Sequence, residues 1–178
     1  TASLKVLATG GIAGLTNEQV KVLTTSQVAV LTTDQVKAIE AADVAVFSST
    51  QVGALTTTQV GVLTAKQLQS LSTGALKGLT TDAVKTLSST QVNSLSGSEV
   101  AALTTAQVAV LTTTQLNAAS SDVLGALTTT QVAAIGTTAL QGLTTGVIQT
   151  LTSTQVAGMS TSQVAALTTA QVVALTTD

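Results

Sequence analysis

Apolar residues return at two fixed places in every eight along almost the whole chain. From Leu7 onward the units read, for example, LTNEQVKV (15–22), LTTSQVAV (23–30), LTTTQVGV (55–62), LTTAQVAV (103–110), LTTTQVAA (127–134) and LTTAQVVA (167–174), without insertion or deletion. The consensus is L-T-T-x-Q-V-x-A. Twenty-one complete octads run over 7–174, with partial octads at 1–6 and 175–178, so residues 1–178 read as a single continuous array. The first position is Leu in 17 of 22 units, the others being Ile39, Phe47, Ala119, Ile135 and Met159. The sixth is always Val, Leu or Ile, counting Leu4 in the partial octad. Two apolar positions that never lapse predict a continuous core, not disorder.

The polar positions decide between helix and strand. Thr or Ser at the second position is followed three residues later by Gln or Glu, as in Thr16–Gln19, Thr24–Gln27, Thr56–Gln59 and Ser96–Glu99. That is a capping box, with Leu just before the cap and Val four residues after it placed as a hydrophobic staple. Each octad therefore carries a complete helix start, and each new start ends the helix before it. The expected element is a helix of about five or six residues, one per octad.

Charges agree with this phase. Glu18, Asp34, Asp82, Asp122 and Asp178 stand at the fourth position, and Lys5, Lys21, Lys37, Lys77 and Lys85 at the seventh. Acids in the first turn and Lys in the last match the helix dipole. Glu18–Lys21, Asp34–Lys37 and Asp82–Lys85 are spaced to meet on a helix surface but would lie on opposite faces of a strand. A single long helix fails, because eight residues overshoot two turns by about 80° and the Leu stripe would wind around it. A β-solenoid is the alternative, since Thr and Val favour strands. It puts the Leu and Val positions on opposite faces. The fold expected is all-α, a solenoid of very short capped helices. Two buried side chains cannot offset the ordering of eight residues, so stability must come from stacking of successive turns.

Departures from consensus are spaced too. The second-position exceptions Ala8, Glu40 and Gly136 fall in units separated by multiples of 32 residues, as do Gly11, Asp43, Ala75 and Ala139 at the fifth position. Units 7–14, 71–78 and 135–142 all end in Gly. Duplication of cassettes explains this spacing. So does a superhelix of four octads per turn, and the first explanation is favoured.

Composition removes whole classes of function. The chain has 8% charged and 1% aromatic residues, and no Cys, His, Trp, Tyr, Pro or Arg. The usual zinc, haem and iron–sulfur ligands are absent, and no triad, thiolate or imidazole base can be built. A net charge of −2 offers no nucleic-acid footprint. No apolar run is long enough for a membrane helix or a signal peptide. The expectation is a protein that is not an enzyme, with no catalytic, cofactor or metal residues and no membrane insertion. The remaining candidates are bland. Glu40 and Asp43 form the one acid pair with potential as a weak cation site. Gly10, Gly11 and Gly14 match no phosphate loop, and glycines are expected to end helices or let turns approach closely. Phe47 reads as packing, and Val123 as filler for the volume that Ala119 lacks.

LTTDQVKAI (31–39) resembles the opening of a TAL-effector repeat. That family needs a repeat about four times longer, a Pro and a basic surface, none of which is present. Units such as LTTAQVAV (103–110) and LTTTQVAA (127–134) resemble the octapeptide tracts of very large exported bacterial surface proteins, often labelled adhesin-like or haem-utilisation proteins. The resemblance covers nearly the whole chain. It implies an extracellular or cell-surface stalk, spacer or filament, with other activities elsewhere in a longer polypeptide. The start at Thr1 and the ends inside octads fit a segment of a longer chain. Expected partners are copies of itself or flanking repeats of the same chain. A Thr-rich surface for ice, glycan or cell-wall material is the alternative. Haem has no His, Cys or Tyr to ligate it here, and Met159 is the one possible axial ligand.

Overall fold

The computed structural model describes residues 8–175. Leu4, Lys5, Leu7 and Asp178, assigned above from sequence, lie outside the described residues. Twenty-one short helices follow one another from Thr9–Ala13 to Thr169–Leu175, and there is no strand among the described residues. The all-α solenoid is the fold, and the β-solenoid alternative is overturned. Most helices have five or six residues. Ala41–Val44 and Thr73–Leu76 have four, and Thr169–Leu175 has seven.

The octad is sufficient to explain each helix. The second-position residue is extended, as at Thr56 with φ −70° and ψ 160°, and its hydroxyl accepts the N–H of the fifth residue. Where that fifth residue is Gln or Glu, its side-chain oxygen accepts the cap's own N–H in return. All fourteen such units close this box, from Thr16–Gln19 to Thr168–Gln171. Ser72, Thr80, Ser120 and Thr144 cap without the return bond. Ala8, Glu40 and Gly136 make no side-chain cap at all. Each helix stops because the next unit's first residue bonds back only three residues, as Leu23 N–H does to the Val20 carbonyl at 3.2 Å. That residue can itself turn extended, as at Ile39 with φ −64° and ψ 128°. After a six-residue helix, core residue and cap form the whole connection, and after a five-residue helix the eighth-position residue, such as Val22, is added.

Gly14, Gly142 and Gly158 stand as C-cap residues, so glycine ends helices as expected, in each case without a left-handed φ. Four octads per turn is too many. Each helix packs on the third helix along the chain, and bonds between turns span 25 to 31 residues. Helix contacts thus lie three octads apart, while the glutamine bonds reach 28 and 31 residues back, so a turn takes fewer than four octads. The 32-residue spacing of exceptions therefore does not mark one turn of the superhelix.

The core is one cluster running the length of the stack. It is built from first-position residues such as Leu31, Phe47, Leu79 and Leu127 and sixth-position residues such as Val28, Leu76, Val108 and Ile148. Phe47 is packing, as expected. Of the three charged pairs, Lys21–Glu18 closes at 2.7 Å and Lys85–Asp82 at 3.7 Å. Asp34 and Lys37 form none. The closed pairs are largely exposed and add little stability.

Candidate functional site

From Gln35 onward the fifth-position glutamines are buried, which is unusual for an uncharged polar side chain of this length. Gln59, Gln107 and Gln131 are each 2% exposed. Their burial is explained atom by atom. The amide oxygen closes the capping box of its own helix, as Gln59 Oε1 does by accepting Thr56 N–H at 2.7 Å. The amide nitrogen points down the stack. Gln59 Nε2 donates to the Val28 carbonyl at 2.9 Å and to the Leu31 carbonyl at 2.8 Å. The first of these ends the helix Thr25–Ala29 and the second precedes the helix Thr33–Ala38.

The same pair of bonds, reaching 31 and 28 residues back, recurs at Gln51, Gln67, Gln91, Gln107, Gln115, Gln131, Gln155, Gln163 and Gln171. One side chain thereby satisfies the cap N–H of its own helix, its own amide and a first-position carbonyl of the turn below, and it gives a second bond to a sixth-position carbonyl that already accepts the N–H three residues on. Buried backbone groups need such partners. The result is a ladder of glutamine rungs beside the apolar core, and it fixes the register of one turn on the next.

Where the rung is missing, other side chains take over part of its work. Units 119–126 and 143–150 carry Val123 and Val147 at the fifth position. There Asn93 Oδ1 accepts Ser120 N–H at 2.7 Å, and Asn117 Oδ1 accepts Thr144 N–H at 2.9 Å. Each Asn also donates to a neighbouring carbonyl, Asn93 to Ala118 at 2.7 Å and Asn117 to Gly142 at 2.9 Å. No signal within the octad shows this, because donor and acceptor belong to different turns.

Glycine at the eighth position serves close approach. A Cβ on Gly78 would lie 2.0 Å from the Ser49 carbonyl oxygen, and one on Gly142 would lie 2.6 Å from the Thr113 methyl. Ala119 has a different consequence. A small apolar cavity of about 20 Å³ lies beside it, lined also by Leu95, Val123, Leu124 and Leu127. Val123 therefore fills the missing volume only in part.

The acid pair does not converge as a site. Asp43 is buried on the helix Ala41–Val44, while Glu40 is its exposed cap residue. Burial, and then the nearby Glu40 charge, raise the Asp43 carboxyl above its ordinary value. An open groove of about 530 Å³ beside them is lined by Lys37, Glu40, Lys66 and Ser70. No group of three or more acids, His or Cys gathers among the described residues. Met159 is partly buried against the core. No helix among the described residues is long and apolar enough to cross a membrane.

The family model described as ALTTAQ repeat matches residues 1–38, 36–73, 66–97 and 148–177, well over half of the chain. No curated protein matches it. The six letters occur intact at 102–107 and 166–171. In the structure they spell a position facing the neighbouring turn, a core Leu, a capping Thr, two exposed or half-buried residues and a ladder Gln. The helices continue through 98–147, between the matched stretches, with box and rung at Gln107, Gln115 and Gln131. The chain belongs to the ALTTAQ repeat family.

Proposed function

We propose that this helical repeat array is a structural spacer: an extended stalk or filament on the outside of a bacterial cell, with no catalytic activity of its own. The observation that carries the reading is the glutamine ladder. It commits the most regular polar side chains of the chain to joining turn to turn, over ten rungs from Gln51 to Gln171. Composition supports the same reading, since the residues that usually perform covalent or acid–base chemistry are missing.

The partner proposed is more of the same repeat, from flanking sequence or a second copy. Sixth-position valines are buried through most of the stack, yet Val164 is 51% and Val172 44% exposed. An open groove of about 350 Å³ is lined by Ile148, Leu151, Val156, Ala174 and Leu175. Another turn would cover these apolar side chains and give its own glutamines carbonyls to bond. The rival reading, a Thr surface for glycan or ice, has less support. Second-position hydroxyls such as those of Thr56, Thr104 and Thr128 are engaged at helix caps, which leaves the third and fourth positions to make any array.

Small-angle scattering and negative-stain electron microscopy of chains with one, two and three tandem copies test the spacer. A rod that lengthens in proportion to octad number at constant width supports it. Constant-width growth that fails, or compact particles, would contradict it. Antibody labelling of intact cells tests the surface location.

A further inference from the structure

Glu99 departs from the glutamine ladder at a single atom. It closes the capping box as a glutamine does: Oε2 accepts Ser96 N–H and Ser96 Oγ–H, both at 2.6 Å. Its other oxygen, Oε1, therefore stands where every ladder glutamine carries its amide nitrogen. Glu99 is 5% exposed, and Oε1 is buried with no hydrogen-bond partner, the one such side-chain atom among the described residues. At the ten rungs the atom in this place donates to carbonyls 31 and 28 residues earlier. For Glu99 the register assigns those carbonyls to Leu68 and Leu71, both buried. The neighbouring rungs on either side, Gln91 and Gln107, keep the pattern. By that register Glu99 brings an acceptor to the place where the ladder glutamines bring a donor.

We propose that Glu99 Oε1 and the carbonyl oxygens of Leu68 and Leu71 form a site for one hard monovalent cation, sodium or potassium. Oxygen-only donors suit hard cations and not soft ones. Backbone carbonyls can replace a hydration shell. One carboxylate balances one positive charge, and a buried carboxylate needs such a counter-charge. The helices packed on Gly97–Ala102 are Thr73–Leu76 and Ser121–Gly125, and their one charged side chain is the exposed Asp122. No second acid is there to balance a divalent ion. Lys66 and Lys77 are exposed and leave the interior to the small ion. A bound cation would bridge the same three oxygen positions that a glutamine amide bridges elsewhere.

Thermal unfolding of the full chain in sodium, potassium and choline chloride at equal ionic strength tests this, with Glu99→Gln as the comparison. Glu99→Gln restores the consensus rung and removes the charge. The wild-type midpoint should rise saturably in sodium or potassium over choline, by about 5 °C. The variant should melt alike in all three salts. Sodium-23 line broadening should be seen with the wild type and lost in the variant. Equal wild-type midpoints in the three salts, or a cation response that survives in Glu99→Gln, would overturn the site. So would a wild type that gains stability from acid but from neither cation, because a proton would then be the occupant.

Discussion

Asn93 Oδ1 accepts the backbone N–H of Ser120 at 2.7 Å, across 27 residues and one turn of the solenoid. It does there what a glutamine at position 123 would do from inside the octad. Asn117 stands in the same relation to Thr144 and Val147. The two units with Val at the fifth position are thus the two that lean on an Asn in the turn below.

Removing this substitute should expose the dependence. Asn93→Ala leaves the Ser120 N–H and the Ala118 carbonyl without their partner and should cost about 1–2 kcal/mol. Val123→Gln supplies the cap acceptor locally. In the double variant the Asn93→Ala penalty should fall by at least half, measured as a double-mutant cycle in urea. Additive effects would show that the two side chains do not share this task.

The void beside Ala119 predicts a stabilising change. Ala119→Leu restores the consensus residue against Leu95, Val123 and Leu127. A filled cavity of about 20 Å³ should contribute ~0.5–1 kcal/mol, seen as a higher unfolding midpoint. A lower midpoint would mean that the surrounding side chains have already closed around Ala119.

Glycine should be replaceable at one end of the range and not at the other. Gly78→Ala drives a Cβ to 2.0 Å from the Ser49 carbonyl oxygen, a backbone atom that cannot swing aside. The turns must separate there, at a cost of about 3 kcal/mol or more. Gly125→Ala meets nothing within 4 Å and should leave stability unchanged or raise it by up to ~1 kcal/mol. Circular dichroism melts of the two variants make the comparison.

Acidity should act through Asp43. Its carboxyl is raised by burial and by the Glu40 charge, so the folded state holds the proton more tightly than the unfolded chain does. That contribution is fully present below the unfolded value, close to 3.8, and is lost as pH rises from there to the raised folded value. Asp43→Asn removes the titrating group. Between about pH 3 and pH 6 its stability should fall less steeply than that of the wild type, in denaturant titrations at each pH.

Much of the architecture could be read from one octad, because most of its determinants are local. Thr24 and Gln27 are three residues apart and close their box without help from elsewhere. Leu and Val at the first and sixth positions have the core as their only dry destination. The ladder was not legible in this way. The capping box accounts for Gln59 Oε1, but the partner of Nε2 depends on which carbonyls pass 28 and 31 residues away. That offset follows from the packing angle between short helices, and the octad alone does not specify it. The alternative of four octads per turn failed for this reason, since the spacing of exceptions along the sequence is not a measure of the superhelix. The role of Asn93 was obscure on the same ground, while close approach was expected of glycine and only the partner of Gly78, Ser49 one turn away, was not.

Glutamine side-chain amides join the turns, and their hydrogen exchange reports on that joint rung by rung. Nitrogen-15 NMR should find slowly exchanging side-chain amide protons at the ten rungs, including Gln59, Gln107 and Gln131. Gln19, which is exposed in the first turns and makes no such bond, should exchange at the rate of a free amide. Fast exchange at all of these glutamines would contradict the ladder, and with it the account of how one turn is held in register on the next.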